Sequence, residues 1–416
     1  MIGRYFSRLE KYLQLDLDYY IKNSFYLILA RGTVMAVGLL LSIVFARLVG
    51  QEVYGQWNYL LSIIGICAVF SMPGMNTAIT QSVATGQERI LLTATKSRFK
   101  WSLLGSLVII GVGIYYTLTG EVELGKGFIA ASLLFPFFQN FESYAAFLSG
   151  KKQFDTLAKY RIITQLAVLA VTVPVIYSSQ NLMFIVVAYL LSFSILRGYF
   201  FKKTSGHITG QEQEHDPEAI PFGKHITVAQ IPSIIRQHYD KLIIALFLSF
   251  PELAIYSIAL AFSSLLQPFS SIIAALVLPK LSQMDAKTAY AEVRKRWYFI
   301  VIGFGAICGV LIALCPYLIP FLYSTEYTES VFYAQLLLVS SIIAAPTSII
   351  NKALLPSQRK IKDLYKLRIY GALVEIVLLT VLTLKFGLLG AVIALLVGRA
   401  FSMVYSLILA RFIPFR

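Results

Sequence analysis

Ionisable side chains lie inside long apolar stretches of this sequence, among them Arg31, Glu142, Arg236, Asp240, Lys241, Glu375 and Arg399. A charged side chain at the centre of a lipid bilayer costs roughly 3 kcal/mol or more, so such groups turn towards a bundle interior or a wet cavity. Guanidinium and ammonium groups in such a place are suited to holding an anion, and carboxylates to carrying a proton or cation. Arg236 and Asp240 are four residues apart, close enough on one helix face either to neutralise each other or to serve a substrate. Arg399 reads either as a binding cation or as a helix-packing residue. Glu142 and Glu375 read either as proton-coupling carboxylates or as hydrogen-bonded packing groups. Arg47, near the end of its apolar run, is of the kind that snorkels to the interface.

The elements that hold these groups must be membrane helices. Of 416 residues, 57% are hydrophobic and 14% charged, with a mean hydropathy of +0.72. A soluble chain has roughly 45–50% apolar and about 25% charged residues. A bilayer core takes about 20 apolar residues per helix, and the runs are too continuous for barrel strands of about 10 alternating residues. We read an all-α membrane protein of about twelve spans: 24–47, 53–83, 101–118, 128–148, 162–177, 182–201, 226–250, 253–278, 297–322, 331–355, 369–386 and 388–412. Alternate connections are rich in Lys and Arg, which stay on the cytoplasmic side and predict that both termini are cytoplasmic. This topology also accounts for the net charge of +15 without invoking nucleic acid. Ile2, Phe6, Leu9 and Leu13, at helical spacing, predict a short helix lying on the membrane surface. No cleaved signal peptide is read ahead of the first span.

The chain repeats itself. Lys100–Trp101 and Arg296–Trp297 open the third and ninth spans 196 residues apart, and the basic loops ending at Arg161 and Arg368 match at a spacing of 207. Six spans is an even number, so the halves run the same way, as a pseudo-two-fold parallel repeat about the membrane normal. This predicts a six-helix lobe over 1–201, a cytoplasmic linker over 202–224 and a second six-helix lobe over 225–416. Prolines interrupt corresponding helices, Pro73 with Pro268 and Pro136 with Pro346. Interruptions at matching places in two halves point to a midplane site, because freed backbone can line a cavity.

Several chemistries are excluded. There is no phosphate-binding Gly-x4-Gly-Lys-Ser/Thr loop, and the four histidines and three cysteines are not at metal-ligand spacings. We expect no cofactor, no metal, no nucleic-acid partner and no enzymatic activity.

The turn Ala46–Arg47–Leu48–Val49–Gly50–Gln51–Glu52–Val53–Tyr54–Gly55, and Asp240–Ile244 followed by Ala254–Ser257, resemble segments of polysaccharide transporters. These form part of the multidrug/oligosaccharidyl-lipid/polysaccharide exporter superfamily, and the length is similar to that of its Wzx-like O-antigen flippase branch. The chain departs from the pattern at Ala254, the repeat partner of Gly55, where a glycine is common. The resemblance implies transfer of an undecaprenyl-diphosphate-linked oligosaccharide from the inner to the outer leaflet of the bacterial cytoplasmic (inner) membrane, by alternating access of two lobes around a cationic cavity. It implies polysaccharide polymerase and chain-length regulator as further partners, alongside membrane lipids. Arg31, Arg236, Lys241 and Arg399 would then meet the diphosphate, since Arg matches phosphate oxygens bidentately. Asp240, Glu375 and Glu142 would be the candidates for ion coupling. The alternative on the same architecture is multidrug or cation efflux, for which a carboxylate-rich or apolar cavity is expected.

Overall fold

A computed structural model describes residues 17–206, 208, 217–357 and 361–411. The surface helix expected around Ile2–Leu13, and positions 207 and 209–216 of the polar linker, lie outside the described residues.

Of the described residues 91% are helical, and none is in a strand. The helices are α1 (Leu17–Leu48), α2 (Gly50–Cys67), α3 (Met75–Ala84), α4 (Ile90–Leu118), α5 (Val122–Asn140), α6 (Ser143–Gly150), α7 (Phe154–Ser178) and α8 (Leu182–Ser205). They are followed by α9 (Ala219–Phe247), α10 (Phe250–Ser264), α11 (Gln267–Ser282), α12 (Ala286–Tyr323), α13 (Glu329–Ile349) and, after a π-helical turn at Ile350–Leu354 and a short turn at Leu355–Ser357, α14 (Ile361–Arg411). Nine segments of the described chain are long and apolar enough to cross a membrane. The last, Ile369–Leu409, is 41 residues long, about twice what one crossing needs. It reverses at Gly387, whose φ of 59° and ψ of −142° are non-helical. A Cβ on Gly390 would stand 1.9 Å from the Leu382 carbonyl oxygen, although eight residues of straight helix would separate them by about 12 Å. With that hairpin, α9 and the α5–α6 pair, the count reaches the twelve expected.

The interruptions fall at the prolines. Met72 takes a left-handed conformation just before Pro73, ending a 3₁₀ turn at Ala68–Ser71 and separating α2 from α3. Pro268 lies in the first turn of α11, where its missing N–H costs nothing, after the break at Leu265 and Leu266. Pro136 precedes the α5–α6 break at Phe141 and Glu142, and Pro346 precedes the π turn.

The chain forms two compact units: Met1–Leu41 with Cys67–Ala229, and Ser42–Ile66 with Gln230–Arg416. The units are defined by packing and the 1–201 and 225–416 halves by duplicated sequence, so α2 falls in the second unit although it belongs to the first half. In the first unit, Tyr160 stacks on Phe200 at 4.0 Å, with Tyr144 edge-on to both. In the second, α10 is the most enclosed helix, with Leu253–Ala259 nearly all buried. The turn motif Ala46–Gly55 also packs here. Gly55 lets α2 press on the start of α10, since a Cβ there would stand 1.9 Å from the Phe250 carbonyl oxygen. Arg47 donates to the Phe321 and Leu322 carbonyls at the end of α12, where a cation suits the helix dipole. Arg47 thus closes a helix end.

Candidate functional site: a cationic cavity in the second unit

Within the second unit, the α10–α11 break, the π turn after α13 and the two arms of α14 surround a polar cavity of about 300 Å³. Three cations line it, Arg236 from α9, Lys352 from the π turn and Arg399 from the second arm of α14, against the single carboxylate of Glu375. Hydroxyls of Ser263, Ser270, Ser348 and Ser402 complete much of the wall. A π turn inserts a residue into the helical ladder and redirects the side chains around it, and such turns recur at functional sites. Here it brings Asn351 and Lys352 to the cavity; Ser406 Oγ donates to Asn351 Oδ1 at 3.0 Å, and Lys352 Nζ donates to Ser271 Oγ at 2.9 Å.

Arg236 Nη1 lies 3.1 Å from Glu375 Oε2. The carboxylate is shielded while the guanidinium is nearly half exposed, so Arg236 keeps donors for a ligand. Gly398 makes room for Glu375, because a Cβ there would come within 3.3 Å of Glu375 Cγ. Arg399 Nη1 donates to Ser340 and Ser341 at 2.6 and 3.2 Å, which fixes the side chain without neutralising it. With three positive groups and one negative, the cavity carries a net positive formal charge.

The i, i+4 spacing of Arg236 and Asp240 does not yield an ion pair. Arg236 turns to Glu375, while Asp240 is buried and accepts a 2.5 Å hydrogen bond from Tyr256 Oη. Lys241 Nζ donates to Asn58 Oδ1 at 3.0 Å. Asp240 and Lys241 therefore line the contact of α9 with α10 and α2, not the cavity. Arg31, on α1 in the first unit, is exposed and has no hydrogen bond or ion pair among the described residues. Glu142, also in the first unit, lies 3.1 Å from Arg197 and 3.9 Å from Arg161. Arg197 is itself held between the rings of Phe138 and Phe193. The structure thus brings Arg236, Glu375 and Arg399 together and leaves Arg31, Glu142, Asp240 and Lys241 elsewhere. Among the described residues, no three His, Cys, Asp or Glu side chains gather into a metal site.

Sequence reasoning passed over two cations. Lys352 lies within the 331–355 run, where the rule that flagged the other intramembrane charges applies equally. Arg98 lies outside the 101–118 run, in one of the connections rich in Lys and Arg, yet it is 2% exposed inside α4. Its guanidinium donates to the Ser71 and Gln139 carbonyls, Asn76 Oδ1 and Ser143 Oγ at 2.7–3.1 Å. Helix α4 begins eleven residues before the apolar run at 101, which is why composition alone placed Arg98 outside.

No curated protein matches the chain significantly in sequence. Among solved structures, the fold is similar to the lipid II flippase MurJ in an inward closed conformation, with a TM-score of 0.74 and 15% identity over 94% of this chain and 88% of that one. It is similar to an inward-facing multidrug resistance MATE family transporter of the MOP superfamily, with a TM-score of 0.67 and 10% identity over 92% and 97% of the two chains. A eukaryotic MATE transporter gives 0.65 and 14% over 95% and 97%. At these identities the likeness establishes a shared fold. In sequence, the model of one family matches residues 44–332, well over half of the chain, and the protein belongs to that family, the polysaccharide biosynthesis proteins.

Proposed function

We propose that the protein is a flippase that moves an undecaprenyl-diphosphate-linked oligosaccharide, an O-antigen unit or a similar surface-polysaccharide repeat, from the inner to the outer leaflet of the bacterial inner membrane. The observation that carries this reading is the charge of the cavity, where Arg236, Lys352 and Arg399 face one carboxylate. A diphosphate needs fixed positive charge and donors in fork geometry, which guanidinium groups supply. Family membership supports a role in polysaccharide biosynthesis, and the fold is that of carriers rather than enzymes. Drug or cation efflux is less well supported, because a cationic substrate would meet three like charges.

In this reading the lobes 1–201 and 225–416 alternate access with both termini cytoplasmic. Arg236 and Arg399 hold the diphosphate, and Arg31 and Lys241 contribute charge along its path. The carboxylates of Glu375, Asp240 and Glu142 are the candidates for ion coupling. The polymerase and chain-length regulator receive the product. Arg31→Gln, Arg236→Gln and Arg399→Gln should each abolish surface O-antigen in a flippase-deletion strain at normal expression. Full surface polysaccharide from the Arg236 and Arg399 variants would defeat the assignment. Transport unaffected by collapsing proton and sodium gradients would remove the three carboxylates from coupling.

A further inference from the structure

On an exposed face of the second unit, α11 and α12 border a groove of about 690 Å³. Its walls are Phe269, Ile273 and Val277 from α11 and Phe299, Ile300 and Ile307 from α12. Phe299 and Phe269 are 74% and 55% exposed, so the groove is open to the surrounding medium. One end is charged. Glu292 there is shared between Lys280 at 3.0 Å and Arg296 at 2.7 Å. Lys295 beside them has no hydrogen-bond or ion-pair partner among the described residues. Three cations thus stand against one carboxylate at the mouth of an apolar trough.

The dimensions suit one class of partner. From Lys295 to Ile307 the helix rises about 18 Å, close to one leaflet, or half of a hydrocarbon core about 30 Å thick. Two-thirds of the way along, Gly303 leaves open space, with nothing within 4 Å of where a Cβ would be. A free phosphate would use the cationic mouth and leave the trough unexplained; a neutral lipid would use the trough and ignore the mouth. We propose that the groove binds one acyl chain of an anionic phospholipid, with its phosphate on Lys295 and Arg296. The chain then ends beside Phe304, a side chain that lines both this groove and the cationic cavity. The lipid site thereby shares a wall with the substrate site, although the proposal stands whether or not the protein is a flippase.

The test uses the purified full chain in detergent, given equal amounts of phosphatidylglycerol and phosphatidylcholine, with retained lipid read by native mass spectrometry. The wild type should keep one phosphatidylglycerol in preference to phosphatidylcholine. Lys295→Gln with Arg296→Gln should cut that preference by about thirtyfold, two headgroup contacts' worth, while still retaining a chain. Gly303→Phe, whose Cβ would meet nothing within 4 Å and whose ring would occupy the trough, should lose both lipids at an unchanged melting temperature. Equal retention of the two lipids by the wild type, or undiminished retention by Gly303→Phe, would overturn the proposal. Equimolar undecaprenyl phosphate should leave the bound phosphatidylglycerol in place; displacement would give the groove to a polyprenyl chain and overturn the phospholipid reading.

Discussion

Each unit contains two helix breaks near prolines, and the space at the breaks is used in opposite ways. In the first unit, the breaks around Met72 and Phe141 are tied together by Arg98, whose guanidinium is satisfied by carbonyls and side chains from both. In the second, the breaks at Leu265–Leu266 and Ile350–Leu354 border an open polar cavity in which Arg236 keeps exposed donors. The residue 196 positions after Arg98 is Arg294, and it is exposed. A duplicated chain has thus kept the broken helices in both halves while filling one pair with a bonded cation and leaving the other open. A cation bonded throughout by its own chain holds structure; one in a cavity with donors to spare is available to a ligand.

The comparison can be broken first at Arg98. Arg98→Met would strand several buried acceptors, so we expect a loss of about 4 kcal/mol or failure to accumulate, read as the melting temperature of the purified protein. A loss below about 1 kcal/mol would mean the first unit does not depend on its plug. The next effect is at Gly55, where the halves also differ because the repeat partner is Ala254. Gly55→Ala should cost about 3 kcal/mol, because the new methyl meets backbone at Phe250 rather than a movable side chain. Arg236→Gln should cost under about 1 kcal/mol, since its pair with Glu375 is half solvated, yet it should lose transport. Stability lost in step with activity would make Arg236 a second plug. Smallest of all, Arg294→Met should stay within about 0.5 kcal/mol of the wild type, as an exposed position does.

Much of the fold was legible because it follows from solvation. Apolar runs of bilayer length give the spans, and Pro73, Pro136, Pro268 and Pro346 mark the breaks. The cavity was partly legible for the same reason, through the cost of placing Arg236, Glu375 and Arg399 in an apolar run. Which charges meet was not. The pairing of Arg236 with Glu375, 139 residues away, depends on how α9 packs on α14, and the nearer Asp240 was taken by Tyr256. The π turn has no sequence signature beyond Pro346, so the placement of Lys352 and Asn351 could not be anticipated. Arg98 was hidden because half of its acceptors are main-chain carbonyls, which every sequence possesses.

The account depends most on the second unit's cavity being a receptor for an anion. Calorimetric titration of the purified protein with a polyprenyl diphosphate tests this directly, comparing the wild type with an Arg236→Gln/Arg399→Gln variant of unchanged melting temperature. Loss of two charge-assisted contacts should weaken binding by about a hundredfold. Equal affinity in the two proteins would contradict the account.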